Sequence, residues 1–456
     1  MALLEEWRQK MERITQIKPS SRQLGWQVMG FYGFIHFGLN TYTNQEWGDG
    51  TASPSLFLPE QLDCVAWVQT MKAAGMKGAI LTCKHHDGFC LWPSKFTDYS
   101  VASSPWKNGQ GDVVRKFAEA CHQENFKFGI YLSPWDRAEA SYGTGEAYND
   151  YFANQLTELL TNYGDVFEVW FDGANGESEG KVQPYDWERY YQIIRKLQPE
   201  AVIAVCGPDV RWVGNEAGTA RENEWSVVPI ELRDAEKIAE RSQKVDDGKF
   251  AKQIASTDED LGSRKVLANY HGELIWYPAE VNTSIRPGWF YHEAEDELVK
   301  PATTLFEIYR KSVGGNCTFL LNIPPNPSGQ IATRDVETLK ELGQLIEQFD
   351  KPLPANIEKQ VVSTTNHELY KISCPTPQRL NMILLGEDIS RSQLVEAFEI
   401  RATINGQLVS IYQGESIGYK RMVEIELITT DYLEIEVLAS RAQPKIDKIA
   451  LYLIEK

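Results

Sequence analysis

The chain has 456 residues, too many for one compact core, and a hydrophobic fraction of 42% that is ordinary for a globular protein. Its 46 Lys plus Arg against 64 Asp plus Glu leave a net charge of −18, which repels phosphate backbones and excludes nucleic acid from the expected partners. No run approaches the roughly 20 apolar residues of a membrane span and no basic amphipathic segment suits a membrane surface; Met1–Arg8 also lacks the basic start and long apolar core of a secretory signal, so the expected location is cytoplasmic.

The first predicted strand, Phe31–Phe37, runs into a long loop carrying Glu46-Trp47-Gly48-Asp49. A helix is expected over Pro59–Ala74, with Leu62, Val65, Ala66, Met71 and Ala73 near one face and Gly75 as its stop. The second strand, Gly78–Lys84, ends in His85-His86-Asp87-Gly88. Asp112 is placed to cap the next helix, whose buried stripe is Val113, Phe117, Ala120 and Cys121. Strand three (Lys127–Ser133, ending in Pro134-Trp135-Asp136), a helix over Asn149–Tyr163 and strand four (Val166–Asp172) continue the alternation. A helix over Trp187–Leu197 and strand five, Ala201–Cys206, follow. Periodicity then blurs through charged loops, with apolar stretches at Trp225–Pro229 and Leu274–Pro278. The helix Ala302–Val313, the strand Thr318–Ile323 and the helix Arg334–Phe349 close the unit. This alternation predicts an α/β fold, a (β/α)8 TIM-like barrel over residues 1–350 with an irregular second half.

Asp350-Lys351-Pro352-Leu353-Pro354 reads as a linker. Beyond it the pattern is short and β-like, at Leu380–Leu385, Ala397–Ile404, Met422–Ile428, Tyr432–Val437 and Ile446–Leu453. With no helical period, it predicts an antiparallel β-sandwich over residues 351–456. The 7 cysteines are odd in number, scattered and without a CxxC pair, which fits free thiols in a reducing compartment. The 13 Trp and 20 Tyr are a surplus of faces that pack against the C–H faces of sugars or simply fill a core.

Several strands stop abruptly in chemistry, which is where a barrel places its active site. Asp172 ends the apolar run Phe167-Glu168-Val169-Trp170-Phe171. Its plain role is to accept hydrogen bonds from the following Gly173–Gly176 turn; its functional role is a nucleophile or base held on a rigid strand end. His36, His85 and His86 supply donors and acceptors near the same rim. Both His85 and His86 face a pocket only if the strand ends there, as Asp87-Gly88 suggests. The cluster lacks HxH and HExxH spacings, so no metal or other cofactor is expected. Glu46-Trp47 offers a carboxylate beside an indole, or one loop anchor. Tyr131 and Trp135 are rim packing or sugar contacts. Lys84 reads as the charge partner of a neighbouring carboxylate.

Phe34-Ile35-His36-Phe37-Gly38, Glu46-Trp47, Lys84-His85-His86-Asp87-Gly88-Phe89 and Trp170-Phe171-Asp172-Gly173 together resemble the α-L-fucosidases of glycoside hydrolase family 29. The match is collinear over the whole barrel, and the sandwich fits that family's architecture. The resemblance implies a retaining double displacement on a fucosylated oligosaccharide, with Asp172 as nucleophile. His36, Glu46, Trp47, His85, His86, Tyr131 and Trp170 would then line the fucose pocket. Such a reaction also needs an acid/base carboxyl about 5–5.5 Å from the nucleophile. Candidates are Asp209, Glu216, Glu222, Glu224, Glu280 and Glu293. Arg211-Trp212-Val213-Gly214-Asn215-Glu216-Ala217-Gly218 resembles the acid/base segment of the branch cleaving α-1,3 and α-1,4 linkages, which selects Glu216. Arg211 would contact the sugar and help keep the nucleophile ionised. The run Ser284–Glu293 also looks like that branch, with Trp289 against the apolar face of fucose.

The expected function is therefore an exo-acting α-1,3/1,4-L-fucosidase trimming Lewis-type branched glycans. The rivals are a fucosidase of broader linkage specificity, a metal-dependent barrel hydrolase built on the His cluster and Asp172, and a carbohydrate-binding protein on an inactive barrel.

Overall fold

The computed structural model describes residues 12–242, 260–268, 270–361 and 368–455. The Met1–Arg8 segment lies outside them, as do the charged residues 243–259. Eight parallel strands form the first domain: β1 (Phe31–Ile35), β2 (Gly78–Lys84), β3 (Lys127–Leu132), β4 (Glu168–Phe171), β5 (Val202–Val205), β6 (Arg211–Trp212), β9 (Ala279–Ser284) and β10 (Thr318–Asn322). The intervening β7 (Val227–Pro229) and β8 (Leu274–Trp276) pair antiparallel outside this sheet. Hydrogen bonding runs in the order β5-β4-β3-β2-β1-β10-β9-β6, and a parallel bridge from Ala204 to Val210 joins the two ends. The sheet is thus a barrel.

Helices start where their caps dictate. The side chains of Asp63, Asp112 and Asp186 accept from the amides of Ala66, Arg115 and Arg189, so the helices run Cys64–Ala73, Val113–Gln123 and Trp187–Leu197. The first therefore starts at Cys64, not at the expected Pro59. Alternation along the strands splits the core into two layers. Tyr32, Phe34, Ile80, Tyr131, Trp170 and Leu320 fill the barrel interior, while Phe31, Ile35, Ala79, Leu81 and Val169 pack outward against helices.

The irregular second half differs from the periodicity reading. Trp225–Pro229 and Leu274–Pro278 supply the small antiparallel pair. The seventh barrel strand is β9, whose Glu280, Asn282, Thr283 and Ser284 are all buried. A strand whose polar groups bond to side chains of other elements, as Glu280 does to Tyr32 and Trp170 and Asn282 to Trp212, carries no apolar run, so an apolar criterion misses it.

The chain leaves the last barrel helix, Thr333–Ile346, and enters the second sheet at β11 (Asn356–Val361). There, β12 (Glu368–Glu387) and β15 (Arg421–Ser440) are each single strands of 20 residues, joined by β13 (Val395–Ile404), β14 (Gln407–Gly414) and β16 (Ile446–Tyr452). The stretches Met422–Ile428 and Tyr432–Val437 are therefore one strand, and β11 and β14 add to those expected. Register breaks at Ser373/Gln378 and Leu380/Met382 let β12 bend, so Ile372 and Tyr370 share a core with Ile383 and Leu385. That is a sandwich made from one folded sheet. It packs on the barrel through Met382, Leu384, Met422 and Tyr452, which join the barrel's outer core.

Candidate active site

The strand ends converge on one cavity of about 510 Å³ at the C-terminal rim. His36, Glu46, Trp47, His85, His86, Trp170, Asp172, Glu216 and Trp289 line it, and Tyr131 lies beneath it. Nine residues from segments spread over the whole barrel thus meet at one cavity.

Asp172 lies just past β4. Its Oδ1 accepts from the Ala174 amide at 2.9 Å and its Oδ2 from the Tyr131 hydroxyl at 2.9 Å. The turn-capping role therefore leaves the side chain open to the cavity, 23% accessible. Tyr131 is fully buried, and burial together with the adjacent Asp172 charge holds its hydroxyl well above the usual range. It acts on the carboxylate as a donor that does not ionise.

The three histidines are neutral rings. Burial drives His36 down to about 3 despite the opposing pull of Asn322 and Asp172, and drives His86 down to about 4 despite Asp172. His85 is pushed well below its usual range by burial and by its two His neighbours. Their hydrogen bonds assign the protons. Ser133 Oγ donates to the Trp135 carbonyl at 2.6 Å, so it accepts from His86 Nδ1 at 2.7 Å. The Asn322 amide donates to the Trp289 carbonyl at 2.8 Å, so its Oδ1 accepts from His36 Nδ1, also at 2.8 Å. Both rings keep a lone pair on Nε2, and His86 Nε2 stands 3.8 Å from Asp172 Oδ2. Asn40 donates to the Glu46 carbonyl at 3.1 Å and to His85 Nδ1 at 3.4 Å, which puts the His85 proton on Nε2. The wall thus mixes ring acceptors and a ring donor, as sugar hydroxyls require.

Glu46 lines the cavity and also braces its wall. Its carboxylate accepts from the Trp289 and Phe290 amides at 2.7 and 3.1 Å and meets His292 Nε2 at 2.7 Å. It holds the β9 loop so that the Trp289 indole reaches Glu216 Oε2 at 3.1 Å. Trp170 likewise donates to Glu280 at 2.8 Å while lining the cavity. Trp47 packs edge-on against His86 and Trp135, with centroids 5.3 and 5.4 Å apart.

Arg211 requires a correction. It does not line the cavity: it is buried behind the wall, and its guanidinium bonds to Glu224 at 2.7 Å. β6 turns this side chain away from the sugar space while presenting Trp212 to it. Lys84 pairs with buried Asp136 at 2.7 Å and donates to Gln155 at 2.9 Å, the charge-partner role expected of it.

Among the remaining acid/base candidates, Asp209 is held by Arg22, Arg195 and the Ile203 amide, and Glu280 is buried inside the barrel with Tyr32 and Trp170. Glu222, Glu224 and Glu293 are not cavity residues. Sequence reasoning passed over Phe34, Val205, Asn282, Glu295 and Lys300 as cavity residues. Asn282 sits on the polar β9, and Val205 takes a φ of 64°, strained for a β-branched residue and invisible in a Val-rich strand. Among the described residues, no group of three or more His, Cys, Asp and Glu is placed to hold a metal ion.

Carboxylates set among neutral imidazoles and indoles on a barrel rim are the equipment of a glycoside hydrolase. The α-L-fucosidase family model matches residues 6–351. Alpha-L-fucosidase 1 of Arabidopsis thaliana is 38% identical over 95% of this chain and 87% of its own length. A putative α-L-fucosidase structure from Bacteroides ovatus is 45% identical, with a TM-score of 0.89 over 98% of this chain and 76% of that one. A Ruminococcus gnavus family 29 fucosidase structure is 28% identical, with a TM-score of 0.83 over 96% of this chain and 95% of that one. The chain belongs to the α-L-fucosidase family and is a glycoside hydrolase of family 29.

Proposed function

We propose that this fucosidase removes terminal fucose with retention, with Asp172 as nucleophile and Glu216 as acid/base, and that its substrates are α-1,3/1,4-fucosylated, Lewis-type branched glycans. The carrying observation is that Asp172, at the end of β4, and Glu216, on the loop after β6, open into the same cavity. The Ruminococcus gnavus relative was solved in complex with fucose, which supports a fucosyl unit as occupant here.

In the first step Asp172 attacks the anomeric carbon as the glycosidic C–O bond breaks, and Glu216 gives its proton to the departing oxygen. In the second, Glu216 takes a proton from water, whose oxygen displaces Asp172 and releases fucose. The two carboxyls must start in different protonation states. Tyr131 and the Ala174 amide bond to the ionised form of Asp172. Phe34 and Trp289 offer an apolar face to a deoxy sugar. The branch assignment is supported by the Arg211–Gly218 segment and by the Trp289–Glu216 contact.

A rival acid is Glu295, which also lines the cavity and whose carboxyl burial raises. Three measurements test the proposal. Proton NMR of the sugar first released should show α-L-fucose; initial β-anomer would overturn retention. A panel of α-1,2, α-1,3, α-1,4 and α-1,6 fucosylated oligosaccharides should favour branched α-1,3/1,4 substrates, and rapid α-1,2 cleavage would overturn the linkage assignment. Glu295→Gln should leave oligosaccharide hydrolysis within a few-fold of wild type, whereas loss confined to poor leaving groups would move the acid role to Glu295.

A further inference from the structure

Glu216 stands on a chain segment, Val213 to Ser226, that contains no helix or strand. A side chain on such a loop keeps its aim only if the loop is tied from several sides. One tie is internal: buried Asn215 accepts from the Ala217 and Thr219 amides at 3.0 and 3.3 Å and donates to the Thr219 carbonyl at 2.9 Å. A second is ionic. Glu224 lies between Arg211 on β6, at 2.7 Å, and Arg221, at 2.8 Å, all three being buried. Burial alone would raise the Glu224 carboxyl, but the two guanidinium groups hold it below its usual range.

The third tie comes from the other domain. Gln393 of the sandwich is fully buried; its Oε1 accepts from the Ser226 amide at 2.8 Å and its Nε2 donates to the Glu224 carbonyl at 3.1 Å. Both polar ends of one glutamine are thus used on the far end of the Glu216 loop. Gln393 is held in turn by Glu387, whose carboxylate accepts from the Leu394 and Val395 amides at 2.8 and 3.0 Å. Alongside it, Arg421 of β15 donates to the Glu222 carbonyl. A seam that only had to be stable would need apolar contacts, which Met382, Leu384 and Met422 already supply elsewhere.

We propose that Gln393 is a positioning residue for catalysis: by clamping Ser226 and Glu224 from the C-terminal domain, it holds the Glu216 loop so that the carboxyl meets the leaving-group oxygen. The proposal rests on Glu216 being the acid/base. Gln393 touches no substrate, so its loss should resemble loss of acid assistance rather than loss of sugar binding.

The test uses the full chain with Gln393→Met, which keeps the volume and removes both hydrogen bonds, and Gln393→Glu, which keeps the acceptor for Ser226. Glu216→Ala is the reference. Each is assayed on an α-1,3-fucosylated oligosaccharide and on aryl fucosides of graded leaving-group pKa, with Tm recorded. Gln393→Met should lose roughly 10- to 100-fold in kcat on the oligosaccharide and far less on the most activated aryl fucoside, with KM little changed. Gln393→Glu should recover much of that loss. Equal losses on all leaving groups, or wild-type rates at an unchanged Tm, would overturn the proposal. So would unfolding of both variants at the assay temperature, which would assign Gln393 to the stability of the seam. If Glu216→Ala keeps wild-type rates on every substrate, the acid/base assignment falls and the proposal with it. If Glu216→Ala depends steeply on the leaving group while the Gln393 variants do not, the proposal falls alone.

Discussion

Asp172 and Glu216 face one cavity but are held by opposite means. Asp172 inherits the rigidity of β4 and is gripped from within the barrel by Tyr131 and its own turn. Glu216 rides an irregular loop and acquires rigidity from a buried ion-pair triad and a glutamine of the second domain. A strand end supplies positional accuracy through the sheet's hydrogen bonds. A loop has to collect it from its surroundings, which makes it dependent on distant residues.

The largest effect is expected at the strand end. Asp172→Asn should lower kcat on activated and natural fucosides alike by roughly 10⁴-fold, with Tm preserved. Near-wild-type turnover by that variant would remove the nucleophile assignment and the contrast with it. Next comes the rigidity beneath the His85-His86 pair. Lys84→Met leaves Asp136 buried without its cation, which should cost about 3–5 kcal/mol in chemical denaturation. A loss under 1 kcal/mol would show that β2 does not depend on that pair. Tyr131→Phe removes one hydrogen bond to a carboxylate, worth about 1.5–3 kcal/mol, so kcat/KM should fall by roughly 10- to 100-fold. An unchanged rate would mean that the turn amide alone positions Asp172.

The smallest effect per step is a difference in pH dependence, spread over more than two pH units. Burial lowers the His86 pKa from 6.5 to about 4, so the unfolded chain takes up the ring proton first as pH falls. The stability contributed by the neutral ring is complete above about pH 6.5 and is lost between there and pH 4. Relative to His86→Gln, which does not titrate, the wild type should therefore weaken on acidification by about 1.4 kcal/mol per pH unit. Parallel stability curves for the two proteins between pH 7 and pH 4.5 would contradict a neutral His86.

The first half of the barrel was legible because β1 to β5 are apolar runs separated by amphipathic helices, and each signal is local. His36, His85, His86 and Asp172 stand out because polar residues interrupt those runs at their ends. The second half was not legible in this way. β6 has two residues, and β9 is buried yet polar because Glu280 bonds to Tyr32 and Trp170 from other strands. The Arg211 sugar contact is implied only by the resemblance of the Arg211–Gly218 segment, while the actual partner, Glu224, is decided by how the loop folds back. Glu46 lines the cavity as the family resemblance implies, but its bonds to the Trp289 and Phe290 amides, 243 and 244 positions away, leave no trace in the sequence around it.

The order of elements in the first half of the barrel, the change to a β-rich second part and the residues at the early strand ends follow from the sequence alone, because periodicity, capping and strand-end polarity act over a few residues. Tertiary structure decided which carboxylates open to the cavity and which are spent on arginines or amides. It also decided which tautomer each imidazole adopts and that a side chain of the second domain braces the Glu216 loop. Those outcomes depend on burial and on partners far apart in the chain, and a hydrogen bond between distant residues leaves no periodic trace in either segment.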